Sequence, residues 1–413
     1  MSVPPLVLWT GLPPDEGEGH AAVIHRCHAR LVWHRHPWPV ERLRLLARVA
    51  GWPVRALVLT WNRTRTIGPA VRRRTGKPLW RQAFEQYGLA LRHSIPPKAY
   101  YHLRLYESDH RSRAGEYLLR FEREALFEFL NEGRKTKRVS NKLLFWERCR
   151  ERGLPTAPVW RVIRDGAVVR SDDGRDSLPR ADLVLKPARG CGGREISRWD
   201  HRGGDAYRNV VSGVDLSGDA LLERLYGRSR GRDWLVQPRL LNHPELVDLS
   251  TGALCTVRVG TCLDEAGRPE VYAAAFRMPV RSPVVDNFHK GGLASPVDLK
   301  TGELGPAIAL KDTGDWHVAH PASGARIAGR RLPLWTDVLE LVSRAHRVFR
   351  QAVVIGWDVG ILADGPVLVE ANVGPDVNVF QRCTGEPLGS ARFGELVAFH
   401  IRRLLDGAED LSA

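Results

Sequence analysis

The chain of 413 residues is 43% hydrophobic and 26% charged, the composition of a globular protein with about two to three domains. No stretch approaches the roughly 18 consecutive apolar residues of a membrane span, and the N-terminus lacks the basic residues that begin a signal peptide. The 6 cysteines do not have the spacing of a zinc site. We therefore expect a soluble, cytoplasmic protein that keeps its thiols reduced.

The net charge of +15 is concentrated in the first third of the chain. Residues 1–135 contain 23 Lys and Arg residues against 12 Asp and Glu residues, a net charge of +11. Such a region suits an anionic acceptor or nucleic acid, although a general bias toward arginine is the simpler explanation. The sequence has neither zinc-finger spacing nor an RNA-binding signature, so we expect no nucleic-acid partner.

Residues 1–135 alternate short apolar runs with Arg and His clusters, and we interpret them as a basic N-terminal α/β extension that binds substrate. A helix is predicted over 39–50, because Gly51 and Pro53 follow it. The apolar run 54–60 is typical of a strand. An amphipathic helix is predicted over 114–131 from the spacing of its apolar residues.

Residues 136–240 form the second predicted domain. Asn141 is a good N-cap for a helix that ends at Gly153. Strands are predicted over 159–164, 167–170 and 182–186. The last of these ends in Lys186, and a glycine-rich loop with Gly190, Gly192 and Gly193 follows it. The Gly- and Arg-rich segment 201–232 reads as mobile, and 234–237 reads as a short apolar strand.

Residues 241–413 form the third predicted domain. Strands over 256–263 and 271–278 are predicted to pair, and a loop with glycines follows at 285–295. Helices over about 335–351 and 391–405 flank a hairpin that occupies 354–375. The mixture of helices with antiparallel hairpins indicates an α+β fold.

The hairpin carries three oxygen-bearing side chains among apolar residues, namely Asp358, Glu370 and Asn372. Glu370 and Asn372 are two residues apart, so they share one face of the second strand. A three-residue turn at 364–366 would place Asp358 directly across from Asn372. This set suits Mg²⁺ that carries substrate phosphates, because buried carboxylates need a cation. The alternative is a hairpin whose rim is merely polar.

Cations that suit a phosphate group occur elsewhere in the chain. Lys186 leaves its strand directly before the glycine loop, where backbone N–H groups have room to approach phosphate. Lys142 begins the helix after Asn141. Arg258 and Arg277 interrupt apolar strands, and each needs an anionic partner that is either a structural carboxylate or a phosphate.

Together these motifs resemble the ATP-grasp superfamily, in particular the ribosomal-protein glutamate ligase branch and the sugar-transfer-associated ATP-grasp proteins. The residues that carry the resemblance are Lys186 with its glycine loop, the strand WLVQP, the loop DNFHKGG, and the acidic hairpin with its E-x-N-x-x-P ending. The resemblance covers roughly residues 96–405. It implies an α+β ATP-grasp fold, in which two lobes hold ATP between antiparallel sheets.

The resemblance also implies roles for individual residues. Residues implied to bind ATP are Lys142, Lys186, Gly190, Gly192, Gly193, Leu235, Val236, Gln237 and Asn287. Residues implied to act on the transferred phosphate are Arg258, Arg277 and Lys290. Those implied to hold Mg²⁺ are Asp358, Glu370 and Asn372. Two positions depart from the family pattern: Pro238 stands where an acid usually binds ribose, and Asp376 stands where a glycine is common.

The implied activity is an ATP-dependent carboxylate–amine ligase that works through an acyl phosphate, with ATP and Mg²⁺ as cofactors. Its substrates would be small-molecule, peptide or saccharide-linked acids and amines, in the modification of polysaccharides or secondary metabolites. Two alternatives stay open. One is an ATP-grasp phosphotransferase, and the other is a nucleotide-binding but non-catalytic partner of a polysaccharide assembly system.

Overall fold

The computed structural model describes residues 19–409 except 37, 133, 135, 191–194, 281–283, 285–290 and 310–315. The helices are His20–His34 (α1), Pro39–Ala50 (α2), Trp52–Thr75 (α3), Leu79–Arg92 (α4), Pro97–His102 (α5), Ser108–Ser112 (α6), Arg123–Leu130 (α7), Lys137–Ser140 (α8), Lys142–Glu151 (α9), Gly218–Arg228 (α10), Trp335–Val348 (α11), Val377–Thr384 (α12) and Arg392–Glu409 (α13). None of them, within the described ranges, is both long and apolar enough to cross a bilayer.

The strands form two antiparallel sheets. They are Arg161–Arg164 (β1), Ala167–Ser171 (β2), Leu183–Pro187 (β3), Ser197–His201 (β4), Ala206–Asn209 (β5), Asp215–Ser217 (β6), Trp234–Pro238 (β7), Thr256–Leu263 (β8), Pro269–Met278 (β9), Leu293–Pro296 (β10), Ala307–Ala309 (β11), Trp316–His317 (β12), Val354–Leu362 (β13) and Gly365–Asn372 (β14). The first sheet has the order β2-β1-β7-β3-β4-β5-β6, and the second has the order β12-β11-β10-β9-β8-β13-β14.

The second sheet is covered on both faces. On one face, residues such as Val257, Trp357 and Val359 pack in a core with α11. On the other face, β13 and β9 pack in a core with α1, α12 and α13. Helix α1 therefore shares a core with the C-terminal part of the chain. The proposed division into 1–135, 136–240 and 241–413 stays a prediction.

The α+β class is confirmed, but the N-terminal extension is helical throughout its described residues rather than α/β. The strand predicted over 54–60 was wrong, because this segment lies inside α3. Pro53 occupies the first turn of that helix, where proline is tolerated. Trp52, Ala56, Thr60 and Thr64 are buried at four-residue spacing, and this helical period outweighs the strand preference of Val and Leu.

The helix predicted over 114–131 is interrupted in its middle. A short 3₁₀ helix occupies Ala114–Glu116, and α7 begins only at Arg123. Between them Glu122 turns inward, where its carboxylate accepts a hydrogen bond from the Leu119 N–H at 2.7 Å and pairs with His25. The residue before α7 thus pairs with α1, at a point where the apolar spacing alone had favoured a continuous helix.

The segment 201–232, predicted to be mobile, instead contains β5, β6 and α10. The Ser217 side chain caps α10 by accepting a hydrogen bond from the Ala220 N–H. Leu221, Leu222 and Leu225 are buried against the first sheet in a core that includes Trp199 and Trp234. Burial of this leucine face orders a segment whose Gly and Arg content had suggested otherwise.

Most other predicted elements are confirmed to within a few residues. Asn141 caps α9, with its side-chain oxygen accepting from the N–H groups of Leu143 and Leu144. Strand β8 has the predicted bounds, and β3, β7, β9, α11 and α13 lie where their patterns placed them. The hairpin β13–β14 is antiparallel, as predicted.

Candidate active site

Three adjacent strands of the second sheet place Arg258, Asp358 and Glu370 in one row. Arg258 on β8 pairs with Asp358 on β13, and Asp358 pairs with Glu370 on β14. Directly paired residues of antiparallel strands point to the same face of a sheet. The row therefore presents one cation and two carboxyl groups to the same side.

The register of the acidic hairpin differs from the prediction by two residues. Leu362 pairs with Gly365 across a two-residue turn, and the register shifts between Asp358 and Val359, so that Asp358 lies across from Glu370. Asn372 lies across from Gly356 instead of Asp358. A shorter turn and one bulged residue explain the difference. Because the shift is an even number of residues, all three side chains still share one face.

Two arginines form ion pairs with Asp358. Arg258 donates to both of its oxygens, with Nη2 3.0 Å from Oδ2, and Arg277 places Nη2 3.0 Å from the same oxygen. The side chain is only 4% exposed. Burial alone would raise the pKa of Asp358, but the two guanidinium groups hold it far below its usual range. The sequence left a structural carboxylate and a phosphate open as partners of these arginines, and the structure shows the carboxylate.

Glu370 and Asn372 complete an oxygen-rich group. Glu370 lies directly across from Asp358, and the Asn372 amide donates to Glu370 Oε1 at 3.5 Å. Two carboxyl groups on paired residues repel one another unless cations lie nearby. In the described part of the chain, no three His, Cys, Asp or Glu side chains cluster to hold a metal. Carboxylate and amide oxygens are the kind of donor that Mg²⁺ prefers, and the assignment of Asp358, Glu370 and Asn372 as its ligands stays a prediction.

The first sheet contributes a buried lysine to the same place. Lys186, at the end of β3, is 6% exposed. Burial lowers the pKa of Lys186, and Lys142 adds to this effect, while Glu370 and Asp358 oppose it; the net result is a pKa of about 8. Lys142, at the start of α9, places its Nζ 3.5 Å from Glu370 Oε2. The same Nζ donates to the Gly190 carbonyl at 2.8 Å, which ties the glycine loop to the site.

Seven predicted residues thus converge where the two sheets meet. Lys142, Lys186, Arg258 and Arg277 bring four positive charges, against two carboxylates and one amide. An excess of positive charge over two carboxylates, of which only Asp358 is buried, suits an anionic ligand.

The other predicted residues are placed less directly. Gly192, Gly193, Asn287 and Lys290 lie outside the described residues. Leu235, Val236 and Gln237 belong to β7, which lies between β1 and β3 near the middle of the first sheet. The Gln237 amide donates to the carbonyls of Ala157 and Pro158, at 3.2 and 2.8 Å. Adenine binding by this strand stays a prediction.

One residue of the site was missed at the sequence level. Thr256 lies across from Arg277, and its hydroxyl accepts from Arg277 Nε at 3.1 Å and from Nη2 at 2.5 Å. It thereby fixes the guanidinium that holds Asp358. The register of the predicted β8–β9 pair contained the signal, because Thr256 begins the strand opposite the arginine.

The fold and the site together define an ATP-grasp protein: two α+β lobes with antiparallel sheets meet at a group of cations and carboxylates. Within that class, residues 122–392 match the family model of the sugar-transfer associated ATP-grasp proteins, and the chain belongs to this family. A search of the curated proteins found no match to the sequence.

Solved structures with a similar chain trace include several ligases. An L-amino acid ligase from Bacillus licheniformis is 12% identical with a TM-score of 0.37, over 64% of this chain and 48% of its own. The D-alanine–D-alanine ligase from Helicobacter pylori is 10% identical with a TM-score of 0.35, over 64% of this chain and 58% of its own. The D-alanine–D-alanine ligase from Coxiella burnetii is 9% identical with a TM-score of 0.38, over 72% of this chain and 70% of its own. The chain spans about half the length of the first of these, and likenesses this distant do not define an activity.

Proposed function

We propose that the protein is an ATP-dependent ligase that joins a carboxylate to an amine or another nucleophile. The observation that carries this proposal is the convergence of four cations with Asp358, Glu370 and Asn372 at the junction of the two sheets. We place this activity in the modification of polysaccharides, a setting that the family's association with sugar transfer supports. ATP and Mg²⁺ would be its cofactors.

In this proposal Lys142 and Lys186 bind the phosphates of ATP from the side of the first sheet. Asp358, Glu370 and Asn372 would hold Mg²⁺, which supplies charge neutralisation for the phosphoryl oxygens when it is bound. Arg258 and Arg277 act on the transferred phosphate, and Thr256 keeps Arg277 in place. Positioning and charge account for the catalysis of phosphoryl transfer, so no nucleophilic side chain is needed.

The reaction then has two steps. An oxygen of the substrate carboxylate attacks the γ-phosphorus of ATP, the bond to the bridging oxygen breaks, and ADP leaves. The amine nitrogen attacks the acyl carbon of the resulting acyl phosphate, inorganic phosphate leaves, and the amine loses a proton to solvent. The excess positive charge of the described site suits both leaving groups.

To test this, the purified protein is incubated with Mg-ATP, candidate acids and hydroxylamine, which serves as a small nucleophile. Formation of ADP, phosphate and a hydroxamate in equal amounts supports the ligase. A second incubation contains candidate alcohols in place of the acids, and release of ADP with a stable phosphorylated alcohol there would instead indicate a phosphotransferase. Tight ATP binding without any turnover across the acids tested would favour a non-catalytic partner instead.

A further inference from the structure

Helices α2 and α3 form one almost continuous helical rod with a kink. Gly51 between them is in the right-handed helical region, its N–H donates to the Ala47 carbonyl, and the Arg55 N–H donates to the Gly51 carbonyl. Two backbone hydrogen bonds thus bridge the junction, at which Pro53 has no N–H to donate. Within each of the two helices, residues spaced by three or four share one side.

One side of the rod is apolar and exposed. Its members, which we call the apolar stripe, are Leu43, Leu46, Val54, Leu57, Val58 and Trp61. Their exposed fractions run from 45% for Leu46 to 70% for Val54, with 69% for Trp61. The opposite side is the one that packs on the protein: Trp52 and Ala56 are buried, and the Trp52 indole donates to the Ala90 carbonyl at 2.8 Å. The stripe thus faces away from the core.

The charges around the stripe have one sign. Residues 38–75 contain 9 arginines and a single carboxylate, Glu41. Arg44 and Arg48 are exposed on α2, and at helical spacing Arg65 and Arg72 lie on the same side of α3 as Val54 and Trp61. These four are exposed, and within the described part of the chain no ion pair neutralises them. An apolar face flanked by unneutralised arginines results.

We propose that the α2–α3 rod lies on the surface of an anionic lipid bilayer, with the apolar stripe in the headgroup–acyl boundary. A helix with an apolar face containing Trp and Leu and a basic polar face is the arrangement that binds such interfaces. Anionic headgroups complement the arginines, and the acyl boundary takes the apolar side chains. A soluble anion or a nucleic acid would account for the arginines alone, because neither buries six apolar side chains.

The test is cosedimentation of the full-length protein with large vesicles. Phosphatidylcholine vesicles that contain phosphatidylglycerol should pellet the protein, vesicles of phosphatidylcholine alone should pellet little, and added NaCl should weaken binding. Leu57→Ser/Trp61→Ser should weaken binding at least about tenfold, because two large apolar side chains no longer enter the interface. Arg44→Gln/Arg48→Gln/Arg65→Gln should weaken it on the order of a hundredfold.

Matched controls lie in the first lobe. Val211 is 72% exposed there, so Val211→Ser should leave binding unchanged, as should replacement of Arg175, Arg224 and Arg230 by Gln. All variants should keep the melting temperature of the parent. The proposal is overturned if neutral vesicles bind equally well, if the control variants lose binding equally, if the protein pellets without vesicles through self-association, or if it binds duplex DNA but no vesicles.

Discussion

Lys186 is a buried ammonium group with another lysine, Lys142, as a close electrostatic neighbour. Burial and that neighbour both disfavour its charge, and the carboxylates of Glu370 and Asp358 only partly compensate. A lysine in this position destabilises the nucleotide-free protein. Such a cost is understandable if the ammonium group meets phosphate when the ligand binds.

We expect ATP affinity to fall as the pH rises through about 8, because Lys186 loses its proton there in the free protein. Bound phosphate would favour the charged form, so binding above this pH must take up a proton. Calorimetric titration in two buffers of different ionisation enthalpy measures both effects. In Lys186→Met the affinity should be lower and nearly independent of pH in this range. Persistence of the full pH dependence in that variant would contradict the assignment.

Lys186→Met should also stabilise the protein in the absence of nucleotide. The difference between a pKa of 10.5 and one of about 8 corresponds to about 3 kcal/mol of unfavourable free energy near pH 7. Removing the charge should relieve much of it, measured as the free energy of unfolding in urea. Lys300→Met, at an exposed position, is the matched control and should change little. Destabilisation by Lys186→Met would show that the ammonium group already has a favourable partner.

Asp358→Asn keeps the size of the side chain but removes the charge that Arg258 and Arg277 share. We expect Mg²⁺-dependent turnover of ATP to fall at least about a hundredfold, since a metal ligand is lost. ATP binding without Mg²⁺ should be retained or tightened, because the site gains net positive charge. Asp364→Asn, in the exposed turn of the same hairpin, should leave both measurements unchanged. Turnover that survives Asp358→Asn would remove this residue from the site.

At the scale of elements, the hairpin β13–β14 shows what sequence patterns can and cannot determine. Alternation placed Glu370 and Asn372 on one face, and the structure agrees because that inference needs only the strand period. The partner of Asp358 depended on turn length and on a bulge, and neither is encoded in the alternation. The partnership of Arg258 with Asp358 was out of reach, because it joins strands 100 residues apart.

Gly356 permits the chain after β14 to fold back over β13. A methyl group at this position would lie 2.7 Å from the Pro375 Cβ and 3.5 Å from the Arg258 Cδ. Gly356→Ala should therefore displace the rigid proline and cost about 1–3 kcal/mol of stability, whereas the distance to Arg258 is that of an ordinary contact. Gly88→Ala in α4 is the matched control, because a methyl group there meets nothing within 4 Å. Gly153→Ala would be a poorer control, because the φ angle of Gly153 is positive. Equal effects of Gly356→Ala and Gly88→Ala would refute this explanation.

A partly buried ion pair connects helix α1 to the rest of the protein. His25 Nδ1 lies 2.5 Å from Glu122, and Nε2 lies 3.0 Å from the Gly115 carbonyl, so both ring nitrogens face acceptors. Burial alone would lower the pKa of His25, but Glu122 and the Gly115 carbonyl raise it above 6.5. The imidazolium form is therefore the one that fits this site.

Because the folded pKa of His25 is raised, its contribution to stability is complete below pH 6.5 and is lost as the pH rises through the folded value. We expect urea unfolding to show that the free energy of unfolding decreases over that rise. His25→Gln should be less stable below pH 6.5 and should lack most of the decline. His34→Gln, at an exposed position of the same helix, should keep the parent profile. An unchanged profile in His25→Gln would exclude the pair as the source.

At the scale of the molecule, the candidate site is assembled from segments that lie far apart in sequence. Lys142 and Lys186 come from one lobe, and Arg258, Arg277, Asp358, Glu370 and Asn372 come from the other. The individual lysines, arginines and carboxylates could be recognised from the sequence as candidates. Their positions next to one another depend on the two sheets and on strand pairing, which local sequence patterns do not encode. The N-terminal helices were the hardest to predict, because buried four-residue periodicity competed there with strand-forming Val and Leu.

The central claim is that Mg-ATP binds where the two sheets meet and is held from both. Calorimetric titration of the parent protein and of Lys142→Ala/Lys186→Met with Mg-ATP tests it most directly. The parent should bind one nucleotide per chain, and the double variant should bind at least about a hundredfold more weakly, since two phosphate-binding charges are removed. Equal affinity in the two proteins, or no binding by the parent, would contradict the claim.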